Sequence, residues 1–121
     1  MKNLLLILFT IVGLSSSVMS SGEPKTLISN ADVNAIMDSE SSSSYILFSS
    51  YNIENKMMDF IIKNPVTMIQ IFKENGELEM VVPIHSDEVS VGLTQFKKGK
   101  YKIGFIIEGV DSPQFMDIDI K

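Results

Sequence analysis

Residues 66–82 read VTMIQIFKENGELEMVV, and this stretch decides the fold that the rest of the chain joins. Two runs rich in apolar and β-branched residues flank Asn75-Gly76, the strongest short signal for a β-hairpin. A two-residue type I′ loop at Asn75-Gly76 would place Ile71 opposite Met80 and bury both on one side. The rival is a type I turn with a bulge at Gly76, which would set Ile71 against Glu79. The one-sided apolar pairing favours the two-residue loop.

Outward from this hairpin, alternating apolar and polar residues predict further short strands at spacings of about ten residues. The pattern predicts an all-β, seven-stranded antiparallel β-sandwich of the immunoglobulin or fibronectin III type. In that layout the first, second and fifth strands form one sheet and the other four form the second. Asn64-Pro65 and Pro83 are expected to end strands, because proline cannot donate to a ladder. The predicted strands are residues 45–51, 56–63, 66–73, 78–82, 88–93, 100–108 and 115–120.

The first twenty residues have the pattern of a secretory signal peptide. Lys2 supplies a short positive region, and residues 4–14 form an apolar run of about half the length that spans a bilayer. The residues that end at Ser20 fit cleavage after that serine. We therefore expect export, with residues 1–20 removed; an uncleaved anchor is the alternative.

Residues 21–44 differ from the rest of the chain. The serine-rich, low-complexity run at residues 39–44 cannot bury a core. This predicts a polar tether that precedes a β-sandwich domain at residues 45–121. Within the tether, Asn30 could cap a short helix or residues 26–29 could form a loose strand, and both readings stay open.

Charge and composition exclude several classes of function. Ten basic and fifteen acidic residues give a formal net charge of −5. Such a chain has no electrostatic footprint for nucleic acid and gains nothing from anionic lipids. We therefore expect no nucleic-acid partner and no stable membrane insertion after signal cleavage.

Residues that carry chemistry are sparse. The chain has no cysteine and one histidine, His85, whereas zinc sites and catalytic bases need several converging groups. Asp117 and Asp119 would share the outer face of the last strand as solubilising charges. We expect no enzymatic activity, no metal site and no cofactor.

The spacing of Leu93, Phe96, Gly99 and Tyr101 resembles the tyrosine corner of immunoglobulin-like domains. There, a tyrosine opens a strand and its hydroxyl bonds back to the backbone a few residues upstream. Gly99 would supply a backbone angle that a side chain disfavours. We expect the partner of the Tyr101 hydroxyl among residues 93–96.

A longer series of motifs resembles a narrower family. Asn64-Pro65 precedes the Ile69-x-Ile71-Phe72-x-x-Asn75-Gly76 run, and the corner spacing follows. This order is similar to the small exported β-sandwich proteins catalogued as DUF3244 and to the C-terminal sorting domains of the type IX secretion system. The resemblance covers residues 45–121. It implies a periplasmic or surface-exposed module in a Gram-negative bacterium, without known chemistry.

Two functions remain open from the sequence. One is a non-catalytic binding or adhesion module that contacts a protein or glycan at the cell envelope. The other is a structural or accessory subunit that pairs through an edge strand at residues 115–120. Lys97, Lys98 and Lys100 form a basic corner that is either a solvated loop or a contact for an acidic glycan or partner. Outward-facing Ile61 could add an apolar interaction surface.

Overall fold

The computed structural model describes residues 23–121, which form seven β-strands and one helical turn. The signal-peptide prediction concerns residues 1–20 and lies outside the described residues. In chain order the elements are β1 (Lys25–Ser29), β2 (Val33–Met37), α1 (Glu40–Ser43), β3 (Ile46–Asn52), β4 (Met57–Lys73), β5 (Leu78–Gly92), β6 (Gly99–Ile107) and β7 (Gln114–Ile120).

The strand pairs are all antiparallel, and those among β3 to β7 fall into the two predicted groups, whereas β1 and β2 come from the predicted tether and add to the second group through β7. β3 pairs with the first half of β4, which pairs with the second half of β5. The second half of β4 lies between the first half of β5 and β6, and β7 follows β6. Both groups belong to one sheet, because β4 and β5 continue from one group into the other. The all-β antiparallel fold is thus confirmed, but it is a nearly closed, barrel-like sheet rather than two separate sheets.

β4 and β5 bend at the positions where strand ends were predicted. The register of β4 against β5 shifts between Ile61 and Val66, a stretch that contains Pro65. In β5, His85 follows Pro83 closely and has a φ of 58°. Bulges admit residues that a regular ladder cannot hold, and they bend the strand. The proline positions therefore turn the strands into the next part of the barrel instead of ending them.

The tip of the β4–β5 hairpin is a bulged turn. The Gly76 amide donates to the Lys73 carbonyl (2.9 Å), and the Lys73 amide donates to the Glu77 carbonyl (2.8 Å). Gly76 has a φ of +91°, whereas Asn75 lacks the positive φ that a type I′ turn needs at its first position. The predicted two-residue loop is wrong, and the rival turn with a bulge at Gly76 is present.

The predicted apolar pairing of the two arms is nevertheless present. Ile71 lies opposite Met80, because a second register shift between Ile71 and Phe72 compensates for the bulge at the tip. Ile71 is 2% exposed. A slip by one residue would turn the apolar side chains to solvent, so burial rather than the turn determines the register.

Residues 25–37 form a hairpin at the end of the sheet. The Asn30 carboxamide oxygen accepts from the backbone amides of Asp32 (2.8 Å) and Val33 (3.0 Å), so it stabilises the turn between two strands. The prediction of a tether is wrong for this segment, and of the two alternatives left open the strand that includes residues 26–29 is present. β2 pairs with β7 and contributes three side chains that are 0% exposed, Val33, Ala35 and Met37.

The serine-rich run is also ordered against the sheet. The Ser39 hydroxyl oxygen accepts from the Ser42 amide (3.1 Å) and caps α1. The Ser42 hydroxyl in turn donates to the Gln114 side chain at the start of β7 (2.6 Å). Hydrogen bonds thus hold the serine-rich run against the sheet, although its side chains contribute nothing apolar to the core.

The hydrophobic core fills the barrel and contains the predicted inward faces. Phe60 and Phe105 meet edge to face at its centre, with ring centroids 6.0 Å apart. The barrel is open between β1 and β3, where the Ser49 hydroxyl donates to the Leu27 carbonyl (3.3 Å). β1 and β3 are the two ends of the strand order and form no ladder with each other, so this is the seam of the sheet.

β7 lies between β2 and β6 and is hydrogen-bonded to both. The last strand is therefore internal to the sheet, which contradicts its prediction as an edge strand. A further strand could not pair with it unless one of its present neighbours left.

Candidate functional site

Residues 23–121 form a groove on the outside of the barrel, which we call the outer groove. It crosses β2, β7, β6 and the end of β4, and it measures about 750 Å³. The tip of the β4–β5 hairpin forms one of its walls. The lining residues are Asn34, Ile36, Phe72, Lys73, Glu74, Asn75, Gly76, Lys100, Tyr101, Lys102, Phe115, Asp117, Ile118 and Asp119.

Strand alternation positions the side chains of the groove. In β7, Met116 and Ile118 are buried, so Asp117 and Asp119 face outward as predicted. In β6, Lys102 precedes the buried Ile103 and lies opposite Asp117 in the register. The outer face thus carries a row of lysines beside a row of aspartates, about 5 Å apart.

Two aromatic rings form the apolar floor. Phe72 and Phe115 meet at a centroid distance of 6.3 Å and an interplanar angle of 61°. Gly104 lies opposite Phe115, and a Cβ at Gly104 would be 3.0 Å from Cε1 of that ring. The glycine therefore makes the space in which the Phe115 ring lies close to the sheet. Aromatic side chains on outward strand positions are the sequence signal for this floor.

Lys102 connects the floor to the acidic side chains. Its Nζ lies 3.5 Å from Asp38 Oδ2 and 3.5 Å from Asp117 Oδ1. The same ammonium lies 5.5 Å from the centroid of the Phe115 ring, within cation–π range. The Lys102–Asp38 pair joins residues 64 positions apart, so no local pattern could have revealed it.

The close packing of Asp38, Lys102 and Asp117 shifts the pKa of Asp38 and of Lys102. Burial raises the pKa of Asp38, and the neighbouring Asp117 carboxylate raises it further by hydrogen bonding and repulsion. Burial alone would lower the pKa of Lys102, but Asp117 and Asp38 outweigh it and raise that pKa. Lys102 therefore stays charged and holds the two carboxylates together.

The predicted tyrosine corner borders the groove. The Tyr101 hydroxyl donates to the Lys97 carbonyl (2.9 Å), one residue beyond the expected range of 93–96. Gly99 has a φ of +142°, and the Phe96 ring packs against Tyr101 at 5.4 Å. The Leu93 carbonyl accepts from the Phe96 amide (3.1 Å). The four residues of the motif thus form one turn, and Tyr101 also lines the groove.

The basic corner is divided by the structure. Lys97, Lys98 and Lys100 are all exposed, but only Lys100 belongs to the groove lining. Of the predicted contact residues, Lys97 and Lys98 therefore lie outside the groove, and their role as a contact stays a prediction. Asn75 and Gly76, predicted as structural, also line the groove through the hairpin tip.

A separate apolar patch lies on the other half of the barrel. A bulge in β3 leaves Leu47 (64%) and Phe48 (56%) exposed, and Phe48 lies opposite Ile61 (39%) in the register. Ile61 thus faces outward as expected. Its neighbours come from β3, a strand that the sequence pattern did not assign to this patch.

The chemistry of the described residues is limited. His85 lies exposed in β5, and among residues 23–121 no three histidine or acidic side chains converge as metal ligands would. No helix in this part of the chain is long and apolar enough to cross a membrane. The arrangement supports binding through apolar contact, hydrogen bonds and paired charges.

Comparison with known proteins adds no relative. No family model matches the chain, and no curated protein is significantly similar to it.

Proposed function

We propose that the protein is an exported, non-catalytic binding module and that the outer groove is its ligand site. The observation that carries this proposal is an aromatic-floored groove of about 750 Å³ on the outside of a closed core. Ligand sites fall in this size range and combine apolar surface with a few convergent polar groups. Phe72 and Phe115 bring aromatic surface together on the outer face of the barrel, and contiguous apolar surface rimmed by polar residues is typical of an interaction site.

Export places such a module at the cell envelope. The signal pattern at residues 1–20 supports secretion, and the absence of cysteine fits a fold that relies on its core alone. The periplasm or the cell surface of a Gram-negative bacterium is the address that we propose. A protein or glycan of the envelope is then the partner class within reach.

The resemblance to the DUF3244 proteins and to sorting domains belongs to the same proposal. Two features support it: the corner at Tyr101 and the division of the strands into the two groups expected for an immunoglobulin-like sandwich. The continuous β4 and β5 are where this chain departs from that layout.

A pair of phenylalanine substitutions tests the site. Phe115→Ala removes a ring from the groove floor, whereas Phe48→Ala makes the same change on the opposite half of the barrel. The exported chain and both variants are passed over immobilised neutral polysaccharides, acidic polysaccharides and a peptide array. We expect binding to at least one probe to fall at least tenfold in Phe115→Ala and to stay within twofold in Phe48→Ala.

Two outcomes would contradict the assignment of the ligand site to the outer groove. If each probe bound the two variants equally, or if only Phe48→Ala lost binding, the outer groove would not be the ligand site. Thermal unfolding of each variant shows whether a loss of binding reflects a loss of fold.

A further inference from the structure

We infer that the outer groove takes a neutral, hydroxyl-rich chain, that is, a neutral polysaccharide or oligosaccharide. This inference rests on the proposed function, because it names the ligand class of the same groove. It is carried by the balance of charge in the lining, the aromatic floor and the fixed positions of the polar groups.

The charges that line the groove cancel. Three lysines and three carboxylates contribute to it, with Lys100 and Lys102 on β6 beside Asp117 and Asp119 on β7. Lys102 is held between Asp38 and Asp117, and Lys73 lies 3.7 Å from Glu77. Lys100 lies opposite Asp119 in the register. An anion bound over the lysine row would therefore be repelled by the aspartate row about 5 Å away. A cation bound over the aspartate row would be repelled by the lysine row.

A hydroxyl group suits such a surface better than a charge does. It donates one hydrogen bond and accepts others, so it can bond a carboxylate and an ammonium at once. Hydrogen bonds with an ionised partner are also stronger than neutral ones. A chain with many hydroxyls could use both rows, whereas a charged ligand could use only one.

The aromatic floor of the groove suits the C–H groups of a sugar ring. Phe72 and Phe115 present apolar surface, the Lys102 ammonium lies over the Phe115 ring at 5.5 Å from its centroid, and the Asp117 carboxylate lies 3.5 Å from that ammonium. The face of an aromatic ring carries partial negative charge and attracts the positively polarised C–H groups of a sugar. Apolar stacking and hydroxyl recognition are thus available at adjacent points.

The polar groups are also held in place before a ligand arrives. Lys102 makes two 3.5 Å ion pairs, and the close fit of the Phe115 ring over Gly104 restricts the floor. A preorganised site loses less side-chain entropy on binding. The acidic-glycan alternative has weaker support, because Lys97 and Lys98 lie outside the lining.

Native affinity electrophoresis tests the ligand class. The exported chain, Phe115→Ala, Phe72→Ala and the control Phe48→Ala run in gels that contain dextran, laminarin, xylan, alginate or chondroitin sulfate. We expect at least one of the three neutral polysaccharides to retard the wild type and Phe48→Ala. In either groove variant the affinity measured from this retardation should fall at least tenfold. If Phe115→Ala does not fold, Phe72→Ala provides the test. Raising salt from about 0.1 to 0.5 M should change the affinity less than twofold, because screening affects charged ligands most.

The other outcomes overturn the inference in distinguishable ways. Groove-dependent retardation in alginate or chondroitin sulfate alone, lost at high salt, would give an acidic ligand and leave the proposed function standing. Groove-dependent binding on the peptide array with none of the polysaccharides would give a protein partner and also leave the proposed function standing. If no probe separated the groove variants from Phe48→Ala, both the ligand class and the proposed function would fail.

Discussion

Two tyrosine hydroxyls fasten loops of this barrel, and their acceptors differ. Tyr101 donates to the Lys97 carbonyl (2.9 Å), four residues upstream, and closes the corner between β5 and β6. Tyr51 donates to Asp32 Oδ2 (2.9 Å), nineteen residues upstream, and ties the end of β3 to the β1–β2 turn. The first bond is local and uncharged. The second joins distant segments and depends on an ionised group.

The surroundings of Tyr51 make its bond part of a charged cluster. Lys56 Nζ lies 3.4 Å from the same Asp32 oxygen, and the Lys121 amide donates to the Asp32 carbonyl (2.9 Å). The Tyr51 hydrogen bond is the main cause of a lowered pKa for Asp32, and Lys56 adds to it against the effect of burial. Burial, followed by the Asp32 carboxylate, raises the pKa of Tyr51. Similar hydroxyl contacts can therefore stabilise one fold with and without dependence on pH.

The largest effect is expected from Tyr101→Ala. The substitution removes a half-buried ring that packs on Phe96, together with the hydroxyl. Truncation of a core aromatic costs about 3–5 kcal/mol, and partial exposure places this one near 3 kcal/mol. Urea unfolding measures the loss. Phe48→Ala is the control and should stay within about 0.5 kcal/mol of wild type, because its ring is exposed. Equal losses in both would show that the corner contributes no more than a surface residue.

Gly99→Ala tests the backbone of the same corner. Gly99 has a φ of +142°, and no atom lies within 4 Å of a Cβ built there, so the cost is backbone strain rather than a clash. We expect about 1–2 kcal/mol of destabilisation in urea unfolding. A variant as stable as wild type would mean that the corner does not require this angle.

Tyr101→Phe isolates the local hydroxyl. The ring stays, and the Lys97 carbonyl can bond water instead, so we expect a loss of about 1 kcal/mol. Because a carbonyl does not titrate, the difference from wild type should be the same at about pH 3 and pH 7. A difference that vanished in acid would contradict the assignment of the acceptor.

Tyr51→Phe should have an effect on stability that depends on pH. A lowered carboxyl pKa contributes stability that is present above the unfolded value of about 3.9 and is lost as the pH falls through the folded pKa. The variant should therefore be less stable than wild type at pH 7 and should approach it in acid. Urea unfolding of both proteins at several pH values measures the gap. A gap that persisted unchanged in acid would show that the Asp32 carboxylate is not the acceptor that matters.

Local patterns were sufficient where the physical constraint is local. The alternation of β6 and β7 predicted the buried Ile103, Phe105, Met116 and Ile118, because strand side chains alternate and one face must be buried. The corner was also predictable, since Tyr101 and its acceptor are four residues apart. Its acceptor, Lys97, lies one residue beyond the expected range of 93–96.

Short or distant interactions were not predictable in the same way. Val33, Ile36 and Met37 fit helical spacing, and five residues are too few to distinguish a helix from a strand. The pairing of β2 with β7 decides the matter by burying Val33 and Met37. The outer groove likewise unites Asn34, Phe72 and Lys102 from three separate parts of the chain.

By itself, the sequence determined the β-class of the fold, the position of the central hairpin, the inward faces of most strands and the corner at Tyr101. Each follows from short-range periodicity or from the backbone preferences of single residues. Only the tertiary structure decided that β4 and β5 bend through their prolines into one barrel-like sheet and that β7 is internal. It also decided where the groove lies. These outcomes depend on which distant surfaces bury each other, and that competition is settled by the whole chain at once.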